Sequence, residues 1–272
     1  MILQEGIEIK SNCEIGVTIS GKEVMDQFDA ICLAIGSMQP RDLKVEGREL
    51  DGIHFAMDFL TQQNRINQGT YISYYNRITA KGRNVLVIGG GDTGSDCVGT
   101  AIRQGARSVM QIEILPEPPE KRSLDNPWPY FARTLKTTTS HEEGCIRKWN
   151  LSAIKFTGMQ KRIMTAVVEE VKWEMRNGNY TMQTIPGTVH HIDTDLVLLA
   201  MGFLHPVHEG LLAELGVELN ERENIKTNDN MCTNIHKVFA AGDAISGASL
   251  VVNAIASGRK VAKQIERFLK TK

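Results

Sequence analysis

The clearest hydrophobic pattern in the chain lies within residues 84–115. A continuous apolar run is followed by a glycine-rich turn, and apolar residues then recur at helical spacing over residues 92–104. Gly105 is well placed to end that helix, and a second apolar run covers Ser108 to Leu115. A strand, a helix and a second strand in this order predict a βαβ unit with parallel strands.

The N-terminal region is predicted to consist of short strands, loops and one helix. GIEIKSNCEIG alternates apolar and polar residues, and Phe28 to Ala34 forms an apolar run that ends at Gly36, so both segments are predicted strands. Residues 53–66 carry apolar positions at helical spacing, and residues 67–82 are irregular.

The second half of the chain returns to strand and helix patterns. The segment LPEPPEKRSLDNPWPYF holds five of the eight prolines and is predicted to be an extended loop. Residues 151–186 predict antiparallel strands with a turn at Asn177-Gly178, and buried strands are predicted over Asp195–Ala200 and Lys237–Ala241. A final helix is predicted from about Ser249 to Leu269. Its apolar stripe, expected to be buried, contains Leu250, Val251, Ala254, Ile255, Val261, Ala262, Ile265 and Phe268.

Composition narrows the class of protein. The chain has 272 residues, of which 42% are hydrophobic and 23% charged, and its net charge is −1. These values are typical of a globular protein with a sizeable core, and they favour neither a nucleic-acid nor a membrane partner. No apolar run reaches the ~20 residues of a membrane span and MILQEGIEIK lacks a signal-peptide pattern, so a cytoplasmic location is expected.

No metal site is predicted. The five cysteines form no CxxC pair, so we expect reduced, mostly packed thiols. His141-Glu142-Glu143 resembles the start of a zinc motif, but Cys145 stands where the second histidine belongs. There is no G-x-S-x-G sequence to support a hydrolase triad.

The glycine turn is the strongest candidate site. Gly89, Gly91 and Gly94 follow the spacing G-x-G-x-x-G, in which the first glycine allows the turn, the second allows backbone to approach phosphate, and the third allows close packing of helix and strand. The helix N-terminus then offers free N–H groups to an anion. Because a strand precedes and a helix follows, dinucleotide binding is favoured over a purely structural turn.

The type of dinucleotide stays open on these residues. Glu113, nineteen residues after Gly94, is placed to accept a hydrogen bond from a ribose 2′-hydroxyl, which favours NAD. Arg107, Lys121 and Arg122 are near in sequence and would suit the 2′-phosphate of NADP, unless they are solvated surface charges.

A second candidate lies near the C-terminus. Asp243 follows a predicted buried strand and Gly242, and the final helix begins shortly after it. The carboxylate would accept hydrogen bonds from ligand hydroxyls, and N–H groups near Ser249 to Val251 would stabilise negative charge on a flavin ring. As a bare pattern this arrangement more often marks an ordinary helix cap.

The motifs taken together resemble the small (beta) subunit of NAD(P)H-dependent glutamate synthase. The resemblance runs in order over essentially the whole chain. It is carried by FDAICLAIGSMQPRDLKVEGRELDGIHFAMDFLTQQN, VLVIGGGDTGSDCVGTAIRQGARSV, EILPEPPEKR, NPWPYF, HEEGCIRKW, DLVLLAMGF and VFAAGDAISGASLVVNAIASGR.

The resemblance implies an α/β fold of the two-dinucleotide-binding-domain (Rossmann-like) flavoprotein type, in which an NAD(P)H domain interrupts an FAD domain. Residues 1–75 and 206–272 are then expected to form an incomplete FAD domain and residues 76–205 the inserted domain. It also implies that hydride passes from NADPH, or NADH in some members, to FAD. Electrons then pass through iron–sulfur clusters to a large subunit that makes glutamate from glutamine and 2-oxoglutarate.

The resemblance also implies the cofactor-binding residues. For the nicotinamide dinucleotide these are Gly89, Gly90, Gly91, Asp92, Thr93 and Gly94, with Ala200, Met201 and Gly202 along its nicotinamide half. For FAD they are Ala34, Gly36, Gly242, Asp243, Ser249, Leu250, Val251 and Asn253. Family members open with a cysteine-rich segment and a first G-x-G-x-x-G, which this chain lacks, so weak or absent FAD binding by the chain alone is expected.

Three alternatives remain at this point. The first is that the chain is the reductase part of a glutamate synthase, or a related reductase with another electron acceptor protein. In this reading NADP is favoured over NAD, and no catalytic side chain is required. A second class is a truncated NADP(H)-binding module without turnover. A third, an NAD dehydrogenase with its own substrate domain, lacks a catalytic His, Tyr-Lys or Cys arrangement.

Overall fold

The computed structural model describes residues 2–176 and 179–271. The helices within these ranges are α1 (Gly21–Gln27), α2 (Ala56–Asn67), α3 (Asp92–Arg103), α4 (Thr139–Glu142), α5 (Leu211–Leu215), α6 (Asp243–Ser246) and α7 (Val251–Lys270). The strands are β1 (Ile31–Leu33), β2 (Ile53–Phe55), β3 (Asn84–Ile88), β4 (Ser108–Ile112), β5 (Ile146–Lys148), β6 (Leu151–Met159), β7 (Arg162–Arg176), β8 (Asn179–Thr184), β9 (His190–Asp193), β10 (Leu196–Leu199) and β11 (Val238–Ala240). Short 3₁₀ turns cover Ile2–Glu5 and Tyr74–Asn76.

The chain divides into two compact units. One is Asp42–Gly202, and the other combines Met1–Arg41 with Phe203–Lys272. The expected boundaries at residues 75 and 205 therefore differ from those of the compact units, above all the first. The reason is that β2 pairs in parallel with β10, which brings the segment before the glycine turn into the larger unit.

The larger unit is built on a parallel sheet with the order β2-β10-β3-β4-β5. The predicted βαβ unit is confirmed, with β3 and β4 paired in register from Asn84↔Ser108 to Ile88↔Ile112. Helix α3 ends at Arg103, and Gly105 follows with a φ of +83°, as its predicted role as a helix stop requires. The predicted helix over 53–66 begins only at Ala56, because its first three residues form β2.

The two faces of this sheet pack against different layers. Val85 and Val87 lie in a buried cluster with Val98 of α3 and Phe59 of α2. Leu86 and Ile88 point the opposite way, into a cluster that includes residues of β6 and β7. Both faces are thus covered, which explains why β3 is an unbroken apolar run rather than an alternating one.

The antiparallel strands predicted over 151–186 are confirmed. β7 pairs with β6, β8 and β9, and all three pairings are antiparallel. The predicted turn at Asn177-Gly178 lies outside the described residues. The proline-rich segment from Leu115 to Phe131 adopts neither helix nor strand, as expected.

The smaller unit is centred on two parallel strands, β1 and β11, paired from Ile31↔Val238 to Leu33↔Ala240. Leu33, Val238 and Ala240 pack in a buried cluster with residues of α5. The predicted strand in GIEIKSNCEIG is wrong: residues 7–12 form no strand and are exposed. Alternation is not sufficient there because no described strand offers these residues a hydrogen-bonded neighbour.

Helix α7 corrects a second prediction. In its C-terminal half Val261 is 4% exposed and Ile265 and Phe268 pack against the same buried cluster, whereas Ala262 is exposed. The N-terminal half of the stripe is not buried, since Val251 is 74% exposed and Ile255 55%. Helical periodicity identifies an apolar face, but only the neighbouring elements decide whether that face is covered.

Two further expectations concern the whole chain. The cysteines are not mostly packed, because only Cys97 is buried, while Cys13 and Cys32 are exposed and Cys145 and Cys232 are intermediate. Within the described residues, none of the helices combines the length and apolar character needed to cross a membrane.

Candidate functional site

The glycine turn sits at the carboxyl end of β3, where Gly89 touches the chain that leaves β10. Gly89 has a φ of +122°, and a Cβ at this position would lie 2.2 Å from the carbonyl oxygen of Ala200. A Cβ on Gly94 would lie 2.2 Å from the carbonyl oxygen of Gly89. Close packing therefore excludes larger residues at both positions, as the spacing predicted.

Gly91 differs from its neighbours because the space beside it is open. It is the N-cap of α3, in an extended conformation and without a side-chain cap, and no atom lies within 4 Å of a Cβ built there. Among the described residues, no acceptor takes the backbone N–H of Asp92, Thr93 or Gly94. Free N–H groups at the positive end of a helix dipole are an arrangement that favours an anion.

Glu113 closes one side of the turn. Its Oε2 accepts a hydrogen bond from the Gly90 N–H at 2.5 Å, and its Oε1 accepts one from the Leu115 N–H at 3.0 Å. The carboxylate therefore braces the turn, and its remaining lone pairs stay available to a ligand hydroxyl. This places Glu113 beside the glycine turn, where the sequence located it.

The three basic residues nominated with Glu113 do not share one location. Arg107 precedes β4, so it lies at the amino ends of the strands, where its N–H donates to the Arg83 carbonyl at 2.8 Å. There it lines a cavity of about 490 Å³ with Arg83 and Arg162. β3 is five residues long, so the amino end of this strand is roughly 16 Å from the glycine turn at its carboxyl end. The position of Arg107 therefore does not support its predicted contact with the 2′-phosphate of NADP near Glu113.

The other two basic residues lie in the proline-rich segment. Lys121 is exposed. Arg122 uses its Nη1 to donate to the carbonyl oxygens of Asn126 and Tyr130, at 3.1 and 2.8 Å. Its first role is thus to hold its own loop together.

The residues after β10 lie against the turn. The Ala200 N–H donates to the Ile88 carbonyl at 2.8 Å, and Ala200 O is the atom that a Cβ on Gly89 would strike. Met201 packs against the buried cluster that contains Leu86 and Ile88, and Gly202 has a φ of +83°. Ala200 is therefore brought next to the glycine turn.

A buried polar chain behind the turn was missed by the sequence patterns. Gln111 Nε2 donates to the Gly89 carbonyl at 2.9 Å, and Gln111 Oε1 lies 2.9 Å from Nε2 of His141. On its other side, His141 Nδ1 lies 3.2 Å from the Thr138 nitrogen, and Thr138 Oγ1 contacts Ser95 Oγ. The only available signal was a glutamine within the apolar run of β4, since inward-facing amides need partners.

The smaller unit brings its nominated residues to the carboxyl ends of β1 and β11. The Ala241 N–H donates to the Leu33 carbonyl at 3.1 Å, and Ser37 Oγ donates to the Asp243 carbonyl at 2.8 Å. The segment Ala34 to Gly36 therefore runs beside Gly242 and Asp243. Gly36 and Gly242 both have a φ of +70°.

The start of α7 adjoins these residues. Ser249 Oγ donates to Asp243 Oδ1 at 2.9 Å, and Leu250 is an N-cap without a side-chain cap. Val251 and Asn253 of the first turn are exposed. The carboxylate of Asp243 thus holds the loop that leads into α7, and the first turn of the helix presents an apolar exposed surface.

No group of three or more His, Cys, Asp or Glu side chains in the described part of the chain is arranged to hold a metal ion. His141 instead contacts an amide and a hydroxyl.

Comparison with known proteins identifies the family. The profile of the family described as "Pyridine nucleotide-disulphide oxidoreductase" matches residues 1–258. The chain belongs to that family.

Within the pyridine nucleotide-disulphide oxidoreductases, the chain is similar to glutamate synthase subunits. It is 41% identical to "Glutamate synthase [NADPH] small chain" of Mycobacterium tuberculosis strain H37Rv, over 97% of this chain and 54% of that protein. The Bacillus subtilis small chain is 39% identical over 99% of this chain and 56% of that protein. "Glutamate synthase [NADH]" of Saccharomyces cerevisiae is 38% identical, over 99% of this chain and 13% of that protein. The chain thus spans about half the length of the bacterial small chains it matches.

Solved structures show the same fold. The Mycobacterium tuberculosis FprA structure in complex with NADPH superposes with a TM-score of 0.71 at 14% identity, over 96% of this chain and 68% of that one. The T. acidophilum thioredoxin reductase gives a TM-score of 0.54 at 19% identity, over 87% of this chain and 64% of that one. The predicted Rossmann-like α/β fold of this oxidoreductase family is confirmed.

Proposed function

We propose that the chain is the NAD(P)H-oxidising part of a glutamate synthase small subunit and that its glycine turn binds the pyrophosphate of the nicotinamide dinucleotide. One observation carries the assignment: the N–H groups of Asp92, Thr93 and Gly94 have no acceptor among the described residues, and the space beside Gly91 is open. A pyrophosphate supplies acceptor oxygens and the negative charge that a helix N-terminus favours. The similarity to glutamate synthase small chains supports the reaction.

Each residue near the turn has a role in this proposal. Glu113 braces Gly90 and accepts a hydrogen bond from the ribose of the adenosine half. The segment Ala200 to Gly202 borders the nicotinamide half, because it leaves the sheet beside Gly89. No acid or base is needed for hydride transfer, so these residues orient the dinucleotide rather than exchange protons with it.

FAD is the hydride acceptor in this proposal, and the smaller unit offers groups that fit part of it. When bound, FAD would supply the acceptor for the two electrons of the hydride. Gly36 and Gly242 allow backbone to approach closely, Asp243 offers a carboxylate, and the exposed Leu250 and Val251 would meet an apolar ring. The chain contains one G-x-G-x-x-G, assigned here to the nicotinamide dinucleotide, so we expect this chain to retain FAD weakly.

The coenzyme and the partner complete the proposal. NADPH is favoured over NADH, in line with the bacterial relatives, and Lys121 and Arg122 are exposed cations in the segment after Glu113. Electrons leave the flavin for a large glutamate synthase subunit, in the cytoplasm, where glutamate forms from glutamine and 2-oxoglutarate. Another electron acceptor protein would fit the same fold.

The test is reduction of an artificial electron acceptor dye. Purified chain with added FAD should reduce the dye when NADPH is supplied, and NADH should work less well. The Gly91→Arg variant fills the open space beside the turn and should abolish the reaction. Activity unchanged by this substitution would contradict the nucleotide site, and stoichiometric bound flavin in the purified chain would contradict weak FAD retention.

The second candidate is a nucleotide-binding module without turnover. It predicts that NADPH binds with a measurable heat in calorimetry while dye reduction stays at background even in excess FAD. This candidate is consistent with a matched region that is about half of each bacterial small chain.

A further inference from the structure

Behind the glycine turn, four side chains form a continuous hydrogen-bonded chain that begins and ends on the turn and its helix. Gln111 reaches the Gly89 carbonyl, His141 contacts Gln111, Thr138 contacts His141, and Ser95 in the first turn of α3 contacts Thr138. Gln111 is 2% exposed, Ser95 4% and His141 8%. Buried polar groups at such positions must be hydrogen-bonded, since an unmet partner costs about 1–3 kcal/mol.

The geometry favours one protonation state of His141. Gln111 Nε2 donates to Gly89, so Gln111 Oε1 faces the histidine and can only accept. His141 Nε2 must therefore carry the proton. The backbone N–H of Thr138 donates to His141 Nδ1 at 3.2 Å, which favours a bare Nδ1. The ring is neutral in this arrangement. A second proton would set Nδ1–H against that fixed N–H, and only the Thr138 hydroxyl, 3.1 Å away, would offer it an acceptor.

The same series of hydrogen-bonded side chains contacts the glycine turn at two points. Gln111 Nε2 fixes the Gly89 carbonyl and also lies 2.7 Å from where a Cβ on Gly94 would be. Ser95 donates its backbone N–H to the Gly91 carbonyl at 3.0 Å. The orientation of the free N–H groups at Asp92 to Gly94 therefore depends on the position of these side chains.

We propose that Gln111 and His141 are positioning residues of the dinucleotide site: neutral His141, acting through Gln111, holds the glycine turn in the form that binds the pyrophosphate. The inference rests on the proposed function of the turn. It has a consequence that simple packing would not have, because binding of the dinucleotide weakens when His141 gains its second proton.

The charges around His141 favour the neutral ring at ordinary pH. Burial lowers its pKa below the ordinary value, and the positive charge of Arg147 on β5 lowers it further. Further charged residues on adjoining segments include Asp96 and Arg103 on α3, Lys148 on β5, and Glu142 and Glu143, which follow His141 in the sequence. Arg103 forms an ion pair with Glu143, which leaves that carboxylate engaged elsewhere.

The experiment measures the Kd of NADPH between pH 5 and 8 for the wild type and His141→Gln. An amide at position 141 can donate to Gln111 but does not titrate. We expect the wild-type Kd to rise at least about tenfold more than that of His141→Gln as the pH falls, a coupling of about 1.4 kcal/mol. Titration of the NADPH 2′-phosphate affects both proteins alike, so the difference isolates His141. His190→Gln, which removes an exposed histidine on β9, is the matched control and should keep the wild-type profile.

A second measurement needs no nucleotide. Nitrogen-15 NMR of labelled histidine should show His141 as the Nε2–H form at pH 7, and an Nδ1–H form would overturn the inference. Parallel pH profiles for wild type and His141→Gln would also overturn it and leave the nucleotide site intact. Failure of the folded wild type to bind NADPH at pH 7.5 would instead overturn the proposed function, and the positioning role with it.

Discussion

The carboxylate of Glu113 accepts a hydrogen bond from the backbone N–H of Gly90, at 2.5 Å. A negative charge is thereby held beside the turn proposed to bind the dinucleotide, next to the expected position of its adenosine ribose. The same contact links a structural role, bracing the turn, with a role in coenzyme choice.

Replacing Glu113 by Gln should shift coenzyme preference towards NADPH. The amide oxygen still accepts the Gly90 N–H, whereas the amide nitrogen cannot accept the Leu115 N–H, so that hydrogen bond is lost. The charge that repels a 2′-phosphate is gone. The ratio of kcat/KM for NADPH to that for NADH should rise by about five- to tenfold, equivalent to about 1 kcal/mol of charge repulsion. Steady-state dye reduction with both coenzymes measures the ratio. An unchanged ratio would place the ribose away from Glu113.

Gly91→Ala should weaken nucleotide binding without weakening the fold. The new methyl meets no protein atom within 4 Å and the backbone φ is −79°, so the free energy of unfolding should change by less than about 0.5 kcal/mol. The Kd of NADPH should rise roughly tenfold or more, since the methyl fills the approach to the N–H groups. Gly258→Ala, also in open space but on α7, is the matched control. Equal affinities for the wild type and Gly91→Ala would contradict the site.

Gly94→Ala should act in the opposite way, through the fold. Its methyl would lie 2.2 Å from the Gly89 carbonyl and 2.7 Å from Gln111 Nε2, so backbone must shift. We expect a loss of about 1–3 kcal/mol in the free energy of unfolding, typical of overpacking. Urea denaturation measures it, and full retention of stability would show that helix and strand are less tightly packed than described.

Cys97 should be the last cysteine to react with a thiol reagent. Burial raises the pKa of its thiol to about 12, with a smaller contribution from Asp96. At pH 8 only about one molecule in ten thousand would carry the reactive thiolate. Because the pKa in the folded state is raised, the stability linked to this thiol is full below pH 9 and is lost as the pH rises towards 12.

Modification followed by mass spectrometry at pH 8 measures the order of reaction. Exposed Cys13 serves as the internal reference and should react within the earliest time points. Modification of Cys97 at the rate of Cys13 in folded protein would contradict its burial.

The two ends of α7 should respond differently to the same substitution. Val261→Ala removes buried methyl groups and should cost about 1–3 kcal/mol, whereas Val251→Ala should cost less than about 0.5 kcal/mol because Val251 is 74% exposed. Chemical denaturation of the pair measures the difference. A large cost at Val251 would mean that the first turn of α7 is covered after all.

Several features of the fold followed from local physics and were predictable from the chain. The run from Val85 to Ile88 is apolar on every position, which identifies a strand covered on both faces. Gly105 ends α3, and the prolines keep the segment after β4 out of regular structure. These outcomes depend on each residue and its near neighbours, so the sequence carried the information.

Other predictions failed where a distant partner decided the outcome. Residues 53–55 continue a helical pattern but pair with β10, well over a hundred residues later. Ile7 and Ile9 alternate like a strand, but none of the described strands lies beside them, and they remain exposed. Periodicity describes which face is apolar, whereas burial depends on what packs against that face.

The sequence by itself determined that Gly89, Gly91 and Gly94 form a turn between a strand and a helix, because glycine conformations and helix ends are local properties. Only the tertiary structure decided that Glu113 braces that turn and that Arg107 lies at the opposite, amino ends of the strands. It also decided that Gln111 and His141 lie behind the turn and support it. These relationships are set by strand direction and by long-range packing, which no short stretch of sequence encodes.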